Sequence, residues 1–190
     1  MLIMSWNARG LGSSRAFNSL ISHKQEFNPD MMFLMEMKSD QARLELLRVK
    51  LGYVGKLVVN CIGSSGGLCL FWSAKVQVVL LSYSIDHIDV RVDSFCNKWW
   101  RLTGFYGNPV SSQRFHSWNL LKRLAGMSSL PWVVLGDFNE VLDISEKMGG
   151  IDKSWSHLFM FREAVDDCSL DDLGFFVNPS HGVTEEKEMQ

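Results

Sequence analysis

Four short apolar runs in this chain each lead to a polar residue, and that recurrence restricts the folds open to it. Leu2-Ile3-Met4 leads to Asn7, and Met31-Met32-Phe33-Leu34-Met35 leads to Glu36. Leu102-Thr103-Gly104-Phe105 leads to Tyr106, and Trp132-Val133-Val134-Leu135-Gly136 leads to Asp137, with Asn139 two positions on. Apolar runs of this length suit buried strands. Polar groups on the turn where such strands end occupy the place where α/β folds build sites. The four strands are therefore expected to bring Asn7, Glu36, Tyr106, Asp137 and Asn139 to one end of one sheet.

The intervening segments fix the fold class. Ser13 or Ser14 can cap a helix in which Phe17, Leu20 and Ile21 recur at helical spacing, and Asn28-Pro29-Asp30 stops it. A second helix follows Ser39-Asp40, with Leu44, Leu47 and Leu51 on its buried face and Gly52 at its end. Residues 54–60, 68–72, 76–84, 87–92 and 99–105 are β-type runs divided by Gly, Ser, Asp and Asn, and read as hairpins. Residues 113–125 return to helix with Phe115, Trp118, Leu121 and Leu124 on one stripe, Pro131 introduces the Trp132 strand, and a last helix is expected over 155–165. Such a mixture argues for two mainly antiparallel or mixed sheets packed face to face, with helices outside.

At 190 residues and 46% hydrophobic content, the chain can bury one sizeable core. Its formal net charge of -2 means that a polyanionic partner must be held by local clusters or through a bound cation. Cys61, Cys69, Cys96 and Cys168 have no C-x-x-C spacing and read as reduced thiols of an intracellular protein, nuclear or cytoplasmic. No signal peptide is recognisable, and no apolar run approaches the roughly 20 residues that cross a bilayer, so no membrane partner is expected.

Oxygen-bearing groups dominate the expected site, with no thiol or imidazole at the strand ends. Hard oxygen ligands suit Mg²⁺, or Mn²⁺, and a cation with few protein ligands leaves room for water and a phosphate oxygen, which points to phosphoryl chemistry. Singly, each residue has a plainer reading, because Glu36 or Asp137 can cap a following segment and Asn7 can stabilise a turn. The conjunction carries the argument. Gly63-Ser64-Ser65-Gly66-Gly67 is followed by no helix and no Lys-Ser/Thr, so it reads as a hairpin turn. Lys98-Trp99-Trp100-Arg101 interleaves cations and aromatics as single-stranded nucleic-acid binders do, but reads more simply as strand alternation with one tryptophan buried. His23, His116 and His157 read as structural or surface residues, and Asp166, Asp167, Asp171 and Asp172 as a solvated helix end.

Five motifs then occur in one order: Trp6-Asn7-Ala8-Arg9-Gly10-Leu11-Gly12, Met35-Glu36-Met37-Lys38, Gly66-Gly67-Leu68, Gly104-Phe105-Tyr106-Gly107 and Gly136-Asp137-Phe138-Asn139-Glu140. In these the chain resembles the endonuclease/exonuclease/phosphatase superfamily, which includes base-excision-repair apurinic endonucleases and LINE-type retrotransposon endonucleases. Arg9, Ser145 to Gly150 and Asp167 to Leu170 are similar to the plant LINE-type subgroup.

The resemblance implies an α/β fold, a four-layer α/β-sandwich of two packed mixed β-sheets flanked by helices, over residues 1–176. It implies metal-assisted phosphodiester hydrolysis on DNA, with no small-molecule cofactor. Glu36 would bind Mg²⁺ and Asn7 would support the metal or its phosphate ligand. Asp137 would orient or deprotonate the attacking water, Asn139 would position that carboxylate and the phosphate, and Tyr106 would hydrogen-bond the scissile phosphate. Related phosphoesterases act on phospholipids, inositol phosphates or RNA, and a non-catalytic nucleic-acid-binding remnant is the other alternative.

Arg9 stands where repair-type members carry an acidic or amide residue. The family's Phe-Thr-Trp strand, Leu-Asp-Arg-like motif and final Ser-Asp-His do not occur here, and His181 lacks the preceding Asp. The expectation is a domain with its last strands missing, residues 177–190 a disordered tail outside the family pattern, and hydrolysis weak or absent.

Overall fold

The computed structural model describes residues 1–61, 66–144 and 155–174. Elements follow in the order β1 (Ile3–Asn7), α1 (Ser14–Phe27), β2 (Met31–Met35), α2 (Gln41–Lys50), β3 (Gly55–Val59), β4 (Leu68–Trp72), β5 (Gln77–Ser84), β6 (His87–Asp93), β7 (Trp100–Tyr106), α3 (Arg114–Ala125), β8 (Trp132–Asp137) and α4 (Trp155–Asp167). One sheet has the order β1-β2-β4-β3 and the other β5-β6-β7-β8. Both are mixed, since β1 and β7 run parallel to β2 and β8 while the other pairs are antiparallel. The expected two-sheet sandwich is the observed one.

Local chemistry sets the element ends. The Ser13 hydroxyl caps α1 by accepting from the Ala16 N–H, and Asn28 closes the helix in the left-handed conformation. Asp40 caps α2 through the Arg43 N–H, and Gly52 takes φ +73° just past its end. Leu44, Leu47 and Leu51 are buried as the spacing requires.

One core lies under α1 and α2, where Leu20, Leu44 and Leu47 meet Met32, Leu34 and Phe71. A second lies between the sheets, built from Met31, Phe33, Met35, Leu68, Leu70, Ile88, Val90 and Leu102. The third packs Trp118, Leu121 and Phe161 of α3 and α4 on Phe105. Residues of β2 thus alternate between two cores, and all five are buried.

The structure corrects several expectations. β3-β4, β5-β6 and β6-β7 are antiparallel neighbours joined in sequence, but the link from β4 to β5 passes between the sheets, so that connection is not a hairpin. Phe115 does not join the α3 stripe and is 45% exposed. A spacing of three falls about 60° short of a full turn at each step, which carries Phe115 round to the far side from Leu124.

Arg101 is not available to nucleic acid: it is fully buried, its Nε and Nη2 donating to both oxygens of Asp89 at 2.8 and 3.0 Å and its Nη1 to the Leu124 carbonyl. Neither neighbouring tryptophan is fully buried. Trp100 packs at the margin of the inter-sheet core, and the Arg91 guanidinium lies 4.3 Å from the Trp99 ring centre. All four cysteines are free thiols. Asp166, Asp167, Asp171 and Asp172 lie on the exposed end of α4 and after it. No helix of the described residues is long and apolar enough to cross a membrane. Most of the Gly63–Gly67 turn, the stretch Ser145 to Gly150, His181 and the tail 177–190 lie outside the described residues.

Sheet spacing is set where Phe33 of β2 lies over Gly104 of β7, because a Cβ on Gly104 would fall 2.4 Å from the Phe33 ring. Gly104→Ala is expected to destabilise the chain by about 1–3 kcal/mol through overpacking, read as a lowered urea midpoint.

His87 lies under the second sheet's outer face, 3% exposed, with its ring nitrogens 3.0 and 2.8 Å from the hydroxyls of Ser82 and Ser84. Burial pushes its pKa below the usual 6.5. Its contribution to stability is therefore complete above the unfolded value and is lost as pH falls through that value toward the depressed folded one. The urea midpoint should fall between about pH 7 and pH 5, and His87→Gln should flatten that dependence.

Candidate active site

The polar strand ends converge, but from two sheets rather than one. Asn7 and Glu36 stand at the end of β1 and just past β2 in the first sheet; Tyr106 and Asp137 end β7 and β8 in the second. Sequence periodicity locates strand ends but not the sheet each strand joins, which is why a single sheet was the expectation. Parallel pairing aligns each couple, with Asn7 opposite Met35 and Tyr106 opposite Asp137. β1 and β8 then face one another across the sandwich.

Asn7 bridges the sheets. Its Nδ2 donates to Glu36 Oε1 at 2.8 Å and to Asp137 Oδ2 at 3.0 Å, while its Oδ1 accepts the Arg9 N–H at 3.2 Å. The Tyr106 hydroxyl donates to the same Glu36 Oε1 at 2.8 Å. Asp137 Oδ1 accepts the Asn139 N–H at 2.9 Å, and Asn139 Nδ2 donates to the Gly107 carbonyl at 2.7 Å. All five expected residues thus fall in one partly buried, hydrogen-bonded cluster.

The backbone around the cluster is constrained. Glu36 and Asn139 have φ of 51° and 55°, in the left-handed region that non-glycine residues seldom occupy. Gly136 has φ +146°, and a Cβ there would sit 1.8 Å from the Phe105 carbonyl oxygen. A Cβ on Gly107 would sit 2.1 Å from the Phe138 carbonyl oxygen. These two glycines let the chain after β8 close onto the end of β7, and the Gly107 N–H donates to the Asp137 carbonyl at 2.7 Å. Phe138, between the two polar residues, points the other way, stacking on Phe105 with centroids 5.2 Å apart and lying tilted against Phe161 at 5.5 Å.

Three supports had no place among the expected site residues. The Asp137 N–H donates to the Met35 sulfur at 3.2 Å, tying the second sheet to β2. Glu140, the last residue of the Gly136–Glu140 motif, has a wholly covered side chain and pairs with Arg114 at the start of α3 at 2.7 Å. Nothing in the sequence marks Arg114 as its partner. The Gly107 carbonyl, a backbone acceptor, leaves no trace in side-chain chemistry.

Burial, the bond to Glu36 and the charges of Glu36 and Asp137 all push the Tyr106 hydroxyl above its ordinary pKa. It therefore keeps its proton and acts as a hydrogen-bond donor. Both bonds to Glu36 fall on Oε1, which leaves Oε2 without a hydrogen-bond partner among the described residues.

Two carboxylates drawn together by one amide offer hard oxygens only, a donor set suited to Mg²⁺ or Mn²⁺. No group of three His, Cys, Asp or Glu side chains capable of enclosing a cation occurs among the described residues. In the present arrangement the Asn7 amide nitrogen, not its oxygen, faces the carboxylates and stands where positive charge is wanted.

A two-sheet α/β sandwich with carboxylates, amides and a phenol gathered at one end defines the architecture. The chain belongs to the Endonuclease/Exonuclease/phosphatase family, whose model matches residues 4–151. No curated protein matches the sequence. Among solved structures, the endonuclease domain of TRAS1, a telomere-specific non-LTR retrotransposon, is 13% identical with a TM-score of 0.64, over 92% of this chain and 73% of that one. The D. rerio TDP2 complexed with single-strand DNA product is 18% identical with a TM-score of 0.57, over 74% and 61%. The human Nocturnin catalytic domain is 17% identical with a TM-score of 0.55, over 74% and 64%. The chain thus spans less than two thirds of the length of the last two.

If Glu36, supported by Asn7, binds a divalent cation, saturating Mg²⁺ should stabilise the fold by an amount set by its concentration, about 2.7 kcal/mol at one hundred times Kd. A thermal-shift titration checks this. Glu36→Gln should abolish the shift.

Proposed function

We propose that this chain is a Mg²⁺-dependent phosphodiesterase domain of the DNA endonuclease type and of LINE retroelement origin. The observation that carries the reading is the hydrogen-bonded joining of Asn7 and Glu36 from one sheet to Tyr106 and Asp137 from the other. Support for nucleic acid as substrate comes from the likeness to a retrotransposon endonuclease domain and to a fold solved with a DNA product. Support for LINE origin comes from Arg9, Ser145 to Gly150 and Asp167 to Leu170, which resemble the plant LINE-type pattern.

Glu36 would bind the cation, with Asn7 supporting it or its phosphate ligand. When bound, such a cation withdraws charge from a phosphate oxygen and acidifies water. Asp137, fixed by Asn7 on one oxygen and by the Asn139 N–H on the other, is oriented to align a water for attack. The Tyr106 hydroxyl, protonated throughout the working range, can transfer its hydrogen bond from Glu36 to a non-bridging phosphate oxygen as negative charge grows there. Asn139 keeps its amide nitrogen on the Gly107 carbonyl and so holds the Asp137 loop shut.

Among the described residues the cluster contains no imidazole, and general acid–base help typically contributes about 10²–10⁴-fold. The expected activity is correspondingly slow. In a supercoiled-plasmid assay, the chain should nick DNA slowly with Mg²⁺ and not in EDTA, and Glu36→Ala and Asp137→Ala should each remove the activity. Nicking that survives both substitutions, or proceeds without metal, overturns the assignment of this site.

A further inference from the structure

Arg91 lies on the face of β6 turned away from the inter-sheet core, to which Ile88, Val90 and Val92 contribute. It has no ion-pair partner among the described residues, and its Nε is buried with nothing to donate to. The cross-strand neighbours account for this. Val79 of β5 is aliphatic, and Arg101 of β7 is a second cation that already occupies both oxygens of Asp89. What the guanidinium does meet is the Trp99 indole, 4.3 Å from the ring centre. Contact of this kind fixes the guanidinium plane and leaves its edge N–H groups to an anion.

The turn from β6 to β7 adds further groups beside it. Asp93 commits both carboxylate oxygens to that turn: Oδ1 accepts the Cys96 and Lys98 N–H groups at 3.3 and 3.1 Å, and Oδ2 accepts the Asn97 N–H at 3.3 Å. The turn so held presents Phe95 67% exposed, in left-handed backbone with φ 60°. The Lys98 side chain is exposed and has no ion-pair partner among the described residues. Arg101, the second cation of the Lys98-Trp99-Trp100-Arg101 pattern, is buried in the fold, and Arg91 from the neighbouring strand stands beside Trp99 in its stead. The patch lies at the start of β7, whose other end is Tyr106, so it is separated from the cluster by about 20 Å along the strand.

We propose that the turn between β6 and β7 is a second binding site, for single-stranded nucleic acid, with a base stacked on Phe95 and the adjoining phosphates held by Arg91 and Lys98. The chemistry selects this ligand from other polyanions. An acidic peptide would pair with the two cations and leave the exposed ring unused, and a duplex has its base faces already stacked on one another. An unpaired strand offers a free π-face and regularly spaced phosphates together. Trp99 serves this site from below, holding the guanidinium in place. Because the patch shares no residue with the cluster, it stands or falls separately from hydrolysis.

Binding of a labelled oligodeoxythymidylate, followed by fluorescence anisotropy in EDTA across a salt series, tests the site without catalysis. Phe95→Ala should weaken binding about tenfold, the loss of one stacked base, and Phe95→Tyr should bind as the parent does. Arg91→Gln and Lys98→Gln should each lower the slope of log K against log salt by about 0.7, the value for one phosphate of a single strand. Phe95 and Lys98 are exposed, so their variants decide the question should Arg91→Gln fail to fold. Lys50→Gln, on α2 over the other sheet, is the control and should leave the slope unchanged. A parent that does not bind, a Phe95→Ala variant that binds like the parent, or slopes that change equally in Lys50→Gln overturns the proposal. So does displacement of the oligonucleotide by polyglutamate as readily as by unlabelled strand, or a loss of binding in Glu36→Gln, which would put the strand at the cluster instead. Failure of plasmid nicking with these binding results intact strikes the hydrolytic reading alone.

Discussion

The packing of the Phe33 ring on the bare backbone of Gly104 is the constraint on which the rest depends. It places the middle of β2 directly against the middle of β7, and parallel neighbours carry the register outward to β1 and β8. Asn7 then arrives within hydrogen-bond distance of carboxylates belonging to both sheets. A side chain in place of the glycine hydrogen would push the sheets apart in the middle, and the effect would be felt at the strand ends, where tolerances are tenths of an ångström.

Behind the second sheet, a polar system does a different task. The bidentate Arg101–Asp89 pair is joined by the Thr103 hydroxyl, which donates to Asp89 at 2.7 Å and accepts from the Trp132 indole at 2.7 Å. Buried ion pairs add little net stability but are costly when mismatched. This one penalises any docking of α3 that leaves the guanidinium unpaired, because Arg101 also donates to the last turn of that helix at Leu124. Helix α3 in turn supplies Arg114, which holds the loop after Asp137 through Glu140. Position of the loop therefore depends on a charge pair on the other face of the sheet.

Most of the fold was legible because its signals are local. Ser13, Asp40, Asn28 and Gly52 mark helix ends by backbone chemistry that needs no tertiary context, and the apolar runs mark the strands. The strand-end positions of the five clustered residues were legible too, because each follows such a run or, for Asn139, lies two positions on. What was not legible is pairing. Nothing in Trp72 and Gln77 says that the chain changes sheets between them, and nothing in Arg101 says that its partner is Asp89 rather than solvent. Alternation predicts that Arg101 and Trp100 face opposite sides, yet which side is covered by a helix is decided by elements more than ten residues distant.

Division of the cluster between two sheets has a consequence for how the molecule can fail. The first sheet brings Asn7 with Glu36 and the second Tyr106 with Asp137, and the bridging amide joins the two carboxylates only across both sheets. Assembly of the cluster is thus a readout of sheet docking: a chain whose sheets have formed but not docked keeps the two carboxylates apart. A protein built this way brings Glu36 and Asp137 together only once the two sheets have docked.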